Sequence, residues 1–416
     1  MVVGGGGHGN ENDSTAWSST ARRGAGRGGA GRAAVDATDA PAPDARPTEP
    51  QATGAAAAQA NDCNYTALYR QTESAVVAVN SSNASGNLGE GSGWVYRLSN
   101  GVAYLVTNWH VVANATDYDV QFNRGRWREA ELVGADFWTD LAVLRVSDPP
   151  ASATALDVAD GSVRRGQPIA VLGNALGYEE SISPGVVTGT DRAVSVFVRP
   201  GLNLTIPGTL QTDASAPFGS SGGPWVNCDG EVVAVMHAGT LPFDVSFGIP
   251  GALVRHVVPT LADGRNVTHP LLGARTVDLG PELAEANNLS VSRGAYVVDV
   301  PPWGPAAGEL EGSPAIHRRT WLPYGGDVIL SIEGTPVLDN EDLQSYLLLE
   351  TRPNETVTMT VRRDGENETV SVTLGERPQV PPWPGLNATV PDETTTGANE
   401  TTTAAANRDA TPGTTG

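Results

Sequence analysis

From residue 63 to residue 262 the chain is written in short apolar, β-branched runs parted by Gly, Asn and Asp. They are Ala75–Val79, Gly93–Tyr96, Ala103–Thr107, Tyr118–Phe122, Leu141–Val146, Pro168–Leu172, Gly185–Gly189, Leu210–Thr212, Gly223–Val226 and Val232–Met236. Runs of this length bounded by turn residues predict strands, and many in series predict barrels or sandwiches. After a linker at 263–268, which holds Gly264 and Asn266, the pattern changes. Residues 269–378 mix strand patterns at Ala295–Val300, Val328–Ile332, Thr356–Arg362 and Glu368–Leu374 with helical periodicity at Pro281–Asn287 and Asn340–Leu349. That mixture predicts a compact α+β module, so the fold class expected for the chain is mainly β. Residues 1–62, rich in Gly, Ala, Pro and Arg, and 379–416, rich in Pro and then Thr, lack periodicity and are expected to be a disordered leader and tail.

Composition narrows the partners. The chain has 416 residues and a net charge of −21, and all 26 of its basic residues are Arg. So acidic a surface is a poor match for nucleic acid. Abundant carboxylates without Lys suit concentrated salt, where screening relieves their repulsion, and point to a halophilic, haloarchaeal host. No run nears the roughly 18 apolar residues of a membrane span. The twin Arg22–Arg23 is not followed by the apolar stretch of an export signal. Export is suggested instead by Asn-x-Ser/Thr triplets, which begin at 12 of the 23 Asn where chance gives roughly three or four. An extracellular or cell-surface location follows as an expectation. The two cysteines, Cys63 and Cys228, are a candidate disulfide whose pairing the sequence leaves open, and with no Cys-x-x-Cys and no His cluster at ligand spacing neither metal nor cofactor is expected.

Three segments carry the parts of nucleophilic catalysis, which needs a hydroxyl, a base, a carboxylate to orient the base, and N–H groups aimed at an oxyanion. In Gly219-Ser220-Ser221-Gly222-Gly223-Pro224 glycines form a tight turn around a serine, so that the N–H groups of Gly219 and Ser221 can converge. His110, in Thr107-Asn108-Trp109-His110-Val111-Val112, stands where a strand opens into a turn. Asp140, in Thr139-Asp140-Leu141-Ala142-Val143-Leu144, immediately precedes an apolar strand. His237 and Ala238, at the end of the strand beyond the serine loop, are placed on the wall of the substrate groove.

These segments, with Leu172–Gly177, Pro184–Gly189 and Gln211-Thr212-Asp213-Ala214, resemble the HtrA/Deg serine proteases over about three quarters of the chain. The order His, Asp, Ser is that of chymotrypsin-type triads, unlike subtilisins and α/β-hydrolases. The resemblance implies a chymotrypsin-like two-barrel protease domain with the triad in its cleft. Ser221 is then the nucleophile, His110 the base, Asp140 the orienting carboxylate, and Gly219 and Ser221 the oxyanion donors. Two departures stand out: Ser220 replaces the family's Asn before the nucleophile, and Ala216-Pro217-Phe218 replaces the usual approach. Ser215, at the floor of the primary pocket in a trypsin-like fold, is small and neutral, which predicts cleavage after small or medium apolar residues. The stretches Tyr324–Gly334 and Val361–Pro378 resemble a PDZ domain, with Leu271-Leu272-Gly273-Ala274 as its carboxylate loop and 301–321 as an insertion. The activity implied is ATP-independent cleavage of unfolded or damaged polypeptides, with peptide C-termini as PDZ partners and a homotrimer as the assembly. The alternative is a catalytically silent, chaperone-like peptide binder.

Overall fold

The structure, a computed structural model, describes residues 63–175, 178–199, 202–240 and 245–379. The leader expected over 1–62 and the tail from 380 onward lie outside these residues. Twelve strands close two six-stranded barrels. The first holds β1 (Val76–Asn83), β2 (Gly86–Ser99), β3 (Val102–Thr107), β4 (Asp117–Phe122), β5 (Trp127–Asp136) and β6 (Leu141–Ser147), in the order β1-β2-β3-β6-β5-β4. The second holds β7 (Pro168–Ala175), β8 (Tyr178–Arg199), β9 (Leu202–Thr212), β10 (Pro224–Val226), β11 (Val232–Thr240) and β12 (Val245–Pro250), in the order β10-β11-β12-β9-β8-β7.

The unbroken apolar runs are explained by burial on both faces. On β3, Leu105 points into the first barrel with Val79 and Leu144, while its neighbour Val106 joins Trp94 and Val143 in a core at the seam between barrels. On β7, Ile169 and Val171 fill the second barrel and Ala170 and Leu172 face the seam. A strand covered on one face alone would alternate. The seam is closed by helices the sequence reading did not anticipate: α1 (Tyr65–Thr72), through Leu68, and α3 (Gly251–Ala262), through Leu253, Val254, Val257 and Leu261. Each such buried side chain stabilises the seam by about 1.5–3 kcal/mol. A one-turn helix α2 (Trp109–Val112) follows β3, so His110 sits in a helix rather than a plain turn.

Cys63 and Cys228 are joined in a disulfide with Cα atoms 5.3 Å apart, which ties the start of α1 to the β10–β11 turn across 165 residues. Asn64 caps α1 by accepting the N–H of Ala67 at 3.0 Å, and Gln71 donates to the carbonyl of Asp229 at 3.0 Å. Cys63→Ser is expected to lower the unfolding free energy by up to about 5 kcal/mol, because the unfolded chain regains the freedom of a long closed loop. Denaturant melts of the variant and the wild type check this.

The second module contains β13 (Pro270–Leu271), β14 (Arg275–Asp278), α4 (Pro281–Ala286), β15 (Ala295–Asp299), β16 (Ala315–Ile316), β17 (Pro323–Tyr324), β18 (Val328–Ile332), β19 (Thr335–Pro336), α5 (Asn340–Glu350), β20 (Thr356–Arg363), β21 (Glu366–Thr373) and β22 (Gly375–Glu376). Its main sheet runs β14-β15-β18-β20-β21 with β19 beside β18, and α5 packs Leu343 and Leu347 onto Ile329, Val357 and Met359. The N-terminal turn of α5 also meets the second barrel, where Glu341 accepts the N–H of Gly208 at 3.2 Å. Burial there pushes the Glu341 carboxyl up to about 7 against the pull of that hydrogen bond.

Candidate active site

Asp140 ends the short loop between β5 and β6 with φ of +53°, a left-handed conformation that Asp and Asn tolerate better than most residues. Its carbonyl fixes that conformation by accepting the N–H of Trp109 and the amide of Asn108, both at 3.0 Å. The carboxylate is fully buried. Oδ1 accepts the backbone N–H of His110 at 2.9 Å. Oδ2 lies 2.8 Å from Nδ1 of His110 and 2.7 Å from Nδ1 of His237. Burial alone would favour the protonated acid, but the charge of His110 and the hydrogen bonds from both rings outweigh it and hold the carboxyl far below the usual range. Burial likewise works against a charged His110, and the Asp140 carboxylate reverses it, so that the imidazole pKa is raised. With Nδ1–H committed to Asp140, the lone pair of His110 is on Nε2, and 40% of its side chain is exposed to solvent.

The serine loop is strapped to the first barrel by β2. Ser92 donates its N–H to the carbonyl of Ser221 and its hydroxyl to the carbonyl of Gly219, each at 2.7 Å. Gly219 and Gly222 take φ of +92° and +86° on either side of the two serines. At Gly222 glycine is required twice over, since a Cβ would run into the carbonyl of Ser92 and the hydroxyl of Thr107 and stand 3.1 Å from the N–H nitrogen of Asn108. The turn therefore rests directly on the residues that lead into His110. Gly91 occupies the gap between them: a Cβ there would lie 2.8 Å from Val111 and 3.2 Å from the carbonyl oxygen of Ser221. Ser221 is half-buried and Ser220 buried. Among the described residues no acceptor takes the N–H of Gly219 or of Ser221, which leaves both for a ligand.

His237 differs from its expected place on the groove wall. The register of β11 against β12 slips between Met236 and Ala238, so His237 is the extra residue of a bulge and its ring turns inward to Asp140. It is 3% exposed, and its Nε2 has no partner among the described residues. Ala238 is half-buried and Ser215 exposed. Phe218, just before the turn, is 76% exposed. Ligand-type atoms of His110, Asp140 and His237 lie within 4.8 Å of one another. Two nitrogens at 2.7 and 2.8 Å from one oxygen are, however, the geometry of two N–H donors sharing an acceptor.

Similarity to known proteins agrees with this geometry. Residues 91–235 match the family described as trypsin-like peptidase domain, and residues 270–374 the PDZ domain. "Serine protease Do-like HtrA" of Lactococcus lactis subsp. cremoris is 32% identical over 334 residues, which cover 75% of this chain and 79% of the relative. The chain belongs to the HtrA family of serine proteases. "Periplasmic pH-dependent serine endoprotease DegQ" of Escherichia coli is 32% identical over 292 residues, covering 69% of this HtrA chain and 59% of its own. Among solved structures, "HtrA-type protease AlgW with tripeptide" superposes with a TM-score of 0.60 at 29% identity, over 76% of this chain and 97% of that one. The protein is thus a trypsin-like serine endopeptidase of the HtrA type carrying a PDZ domain.

In the PDZ domain of this HtrA protein, Leu271 pairs with Gly375 in β13–β22, Leu272 is buried, and Ala274 packs on the core. Gly273 has φ of +73°, and a Cβ there would run into Pro305, so the 301–321 stretch is seated against this loop. Among the described residues no backbone acceptor takes the N–H of Leu272 or Gly273. Strand β14 is an edge of the sheet, and Thr276 on it donates to Asn340 of α5 at 2.5 Å.

Proposed function

We propose that Ser221, His110 and Asp140 form the catalytic triad of this endopeptidase and that the N–H groups of Gly219 and Ser221 form its oxyanion hole. Nε2 of His110 takes the proton of the Ser221 hydroxyl as Oγ bonds to the scissile carbonyl carbon. The carbonyl oxygen becomes an anion that the two N–H groups receive. His110 then gives the proton to the leaving amine as the C–N bond breaks, and water repeats the steps on the acyl-enzyme. Asp140 keeps the proton of His110 on Nδ1 and stabilises the imidazolium. The observation that carries the reading is the buried Asp140 carboxylate, ionised and turned on His110 by two separate hydrogen bonds. A silent peptide binder has no use for such a pair, nor for two N–H groups left open beside a serine.

Its substrates under this proposal are unfolded polypeptides, cut after small or medium apolar residues because the neutral Ser215 offers no charge to hold Arg or Lys. The PDZ domain takes peptide C-termini on the loop Leu271–Ala274, adding them as a strand at β14. Incubation with a reduced, carboxymethylated protein in chelator and without nucleotide tests this. Fragments ending in Ala, Val or Leu are expected, while cleavage confined to Arg and Lys would contradict the pocket assignment.

The acid limb of kcat/KM reports the base of the free enzyme. Because Asp140 raises the His110 pKa, activity is expected to fail, as pH drops, at a value above the ordinary imidazole pKa of about 6.5. A limb below that value would contradict the His110–Asp140 pairing, and a pH–rate profile on a peptide ester decides.

We also propose that the protein works outside the cell in concentrated salt, as a trimer. Export is supported by relatives named periplasmic, and by exposed Asn-x-Ser/Thr acceptors at Asn64, Asn114, Asn266, Asn288, Asn354 and Asn367. The −21 net charge favours a melting temperature that rises from dilute buffer to molar KCl, measurable by calorimetry. Sedimentation equilibrium tests the trimer.

A further inference from the structure

The loop that presents Asp140 is held from outside the protease barrels. Asp136, the last residue of β5, receives Nε2 of His269 at 2.8 Å, with both side chains buried, and from the loop the Thr139 hydroxyl donates to the same carboxylate oxygen at 2.5 Å. His269 opens the PDZ domain, one residue before β13. Trp138 donates its indole N–H to the carbonyl of Pro378 at 3.1 Å, and the Arg377 guanidinium stands 5.1 Å over its ring. These residues close the PDZ domain, and its two ends are tied together where the N–H of Arg377 meets the carbonyl of His269 at 2.9 Å. Phe137, between Asp136 and Trp138, packs edge-on against Trp109 at 5.0 Å. Trp109 immediately precedes His110 and donates its N–H to Asp140.

We propose that His269, together with the Trp138–Pro378 contact, positions Asp140 for catalysis by holding residues 136–139, the segment that leads into it. Asp140 is held on one side by the two bonds its carbonyl accepts from Trp109 and Asn108. On the other side neither β5 nor β6 extends through the loop, so the path into Asp140 depends on what residues 136–139 touch. The side chains of Asp136, Phe137, Trp138 and Thr139 all have partners, and three of those partners, His269, Arg377 and Pro378, belong to PDZ termini. A group displaced by 1 Å can cost about a hundredfold in rate, so a loosened loop acts on kcat and leaves substrate binding alone. The inference rests on the triad reading above and is tested so that the two fail separately.

The test uses the full chain carrying His269→Ala, His269→Gln or Trp138→Phe, each shown to be folded by its melting curve. Turnover of a short peptide ester, too small to reach the PDZ groove, gives kcat and KM. The low-field proton resonance of His110 Nδ1–H, recorded in a Ser221→Ala background, reports the bond to Asp140 without any catalysis. His269→Ala is expected to lower kcat about 10- to 100-fold at unchanged KM and to broaden or abolish the resonance through faster exchange. His269→Gln, whose amide N–H falls near the place of Nε2, is expected to recover most of both, and Trp138→Phe to show a smaller loss in the same direction. If His269→Ala does not fold, Trp138→Phe decides. Unchanged kcat with an unchanged resonance overturns the proposal, and so does a lower rate that appears only in KM. If wild type neither turns over nor reacts at Ser221 while the resonance still responds to His269→Ala, the triad reading fails and the positioning role stands.

Discussion

Replacing Ser221 by Ala is expected to lower kcat for peptide hydrolysis by about a million-fold and to leave KM close to that of the wild type. In free energy this is about 8 kcal/mol of transition-state stabilisation. The substitution removes one oxygen from a turn whose shape is set elsewhere: by Gly219 and Gly222 in left-handed conformations, by two bonds from Ser92, and by the contact of Gly222 with the end of β3. The backbone N–H of residue 221 survives, so the residual rate is that of an intact oxyanion site lacking its nucleophile. Ser220→Ala is the control. Its side chain is buried beneath the turn, and turnover near wild type is expected. Steady-state kinetics with one peptide ester separate the pair, and comparable losses from both would show that the nucleophile is misassigned.

Asp140→Asn is the second large effect, with kcat expected to fall about 10⁴-fold in a folded protein. Asparagine suits the left-handed backbone as well as aspartate does, so the loop keeps its path. The side chain cannot keep its bonds. Asp140 accepts the backbone N–H of His110 on one oxygen and two ring N–H groups on the other. An amide offers one acceptor oxygen. If its NH₂ replaces Oδ1, it opposes the N–H of His110; if it replaces Oδ2, it opposes both imidazoles, which must move their protons to Nε2 or turn away. In the second case His110 has a proton where it needs a lone pair. Without the carboxylate the His110 pKa also falls, so the acid limb of the residual activity is expected to move to lower pH. A limb that stays in place while kcat falls would mean that Asp140 does not set the charge of His110.

The residues proposed as the triad stand out in the sequence because each sits in a local motif whose shape follows from neighbouring residues: glycines around Ser221, a strand end before His110, an apolar strand after Asp140. The strand content was legible because strands buried on both faces read as continuous apolar runs; these left barrels and sandwiches both open, and the two-barrel form came from the family resemblance. β5 was not, since Trp127-Arg128-Glu129 at its start faces solvent and gives no such run. α3 was missed because its periodicity is blurred by Pro259 and by apolar residues on several faces. His237 was misplaced for a subtler reason. It was placed on the groove wall because it ends the strand beyond the serine loop, and nothing local announces the bulge that directs its ring to the buried Asp140. The grip of His269 on Asp136 joins residues 133 apart in the chain. Nothing local at either position announces it.

The central claim is that Ser221 is an activated alcohol whose base is His110. Diisopropyl fluorophosphate, with peptide mapping by mass spectrometry, tests it most directly. The account predicts one adduct per chain, on Ser221, forming at a rate that falls as pH drops through the His110 pKa and disappearing in His110→Ala. An adduct on Ser220, or no adduct on folded protein that still binds peptide, would contradict it.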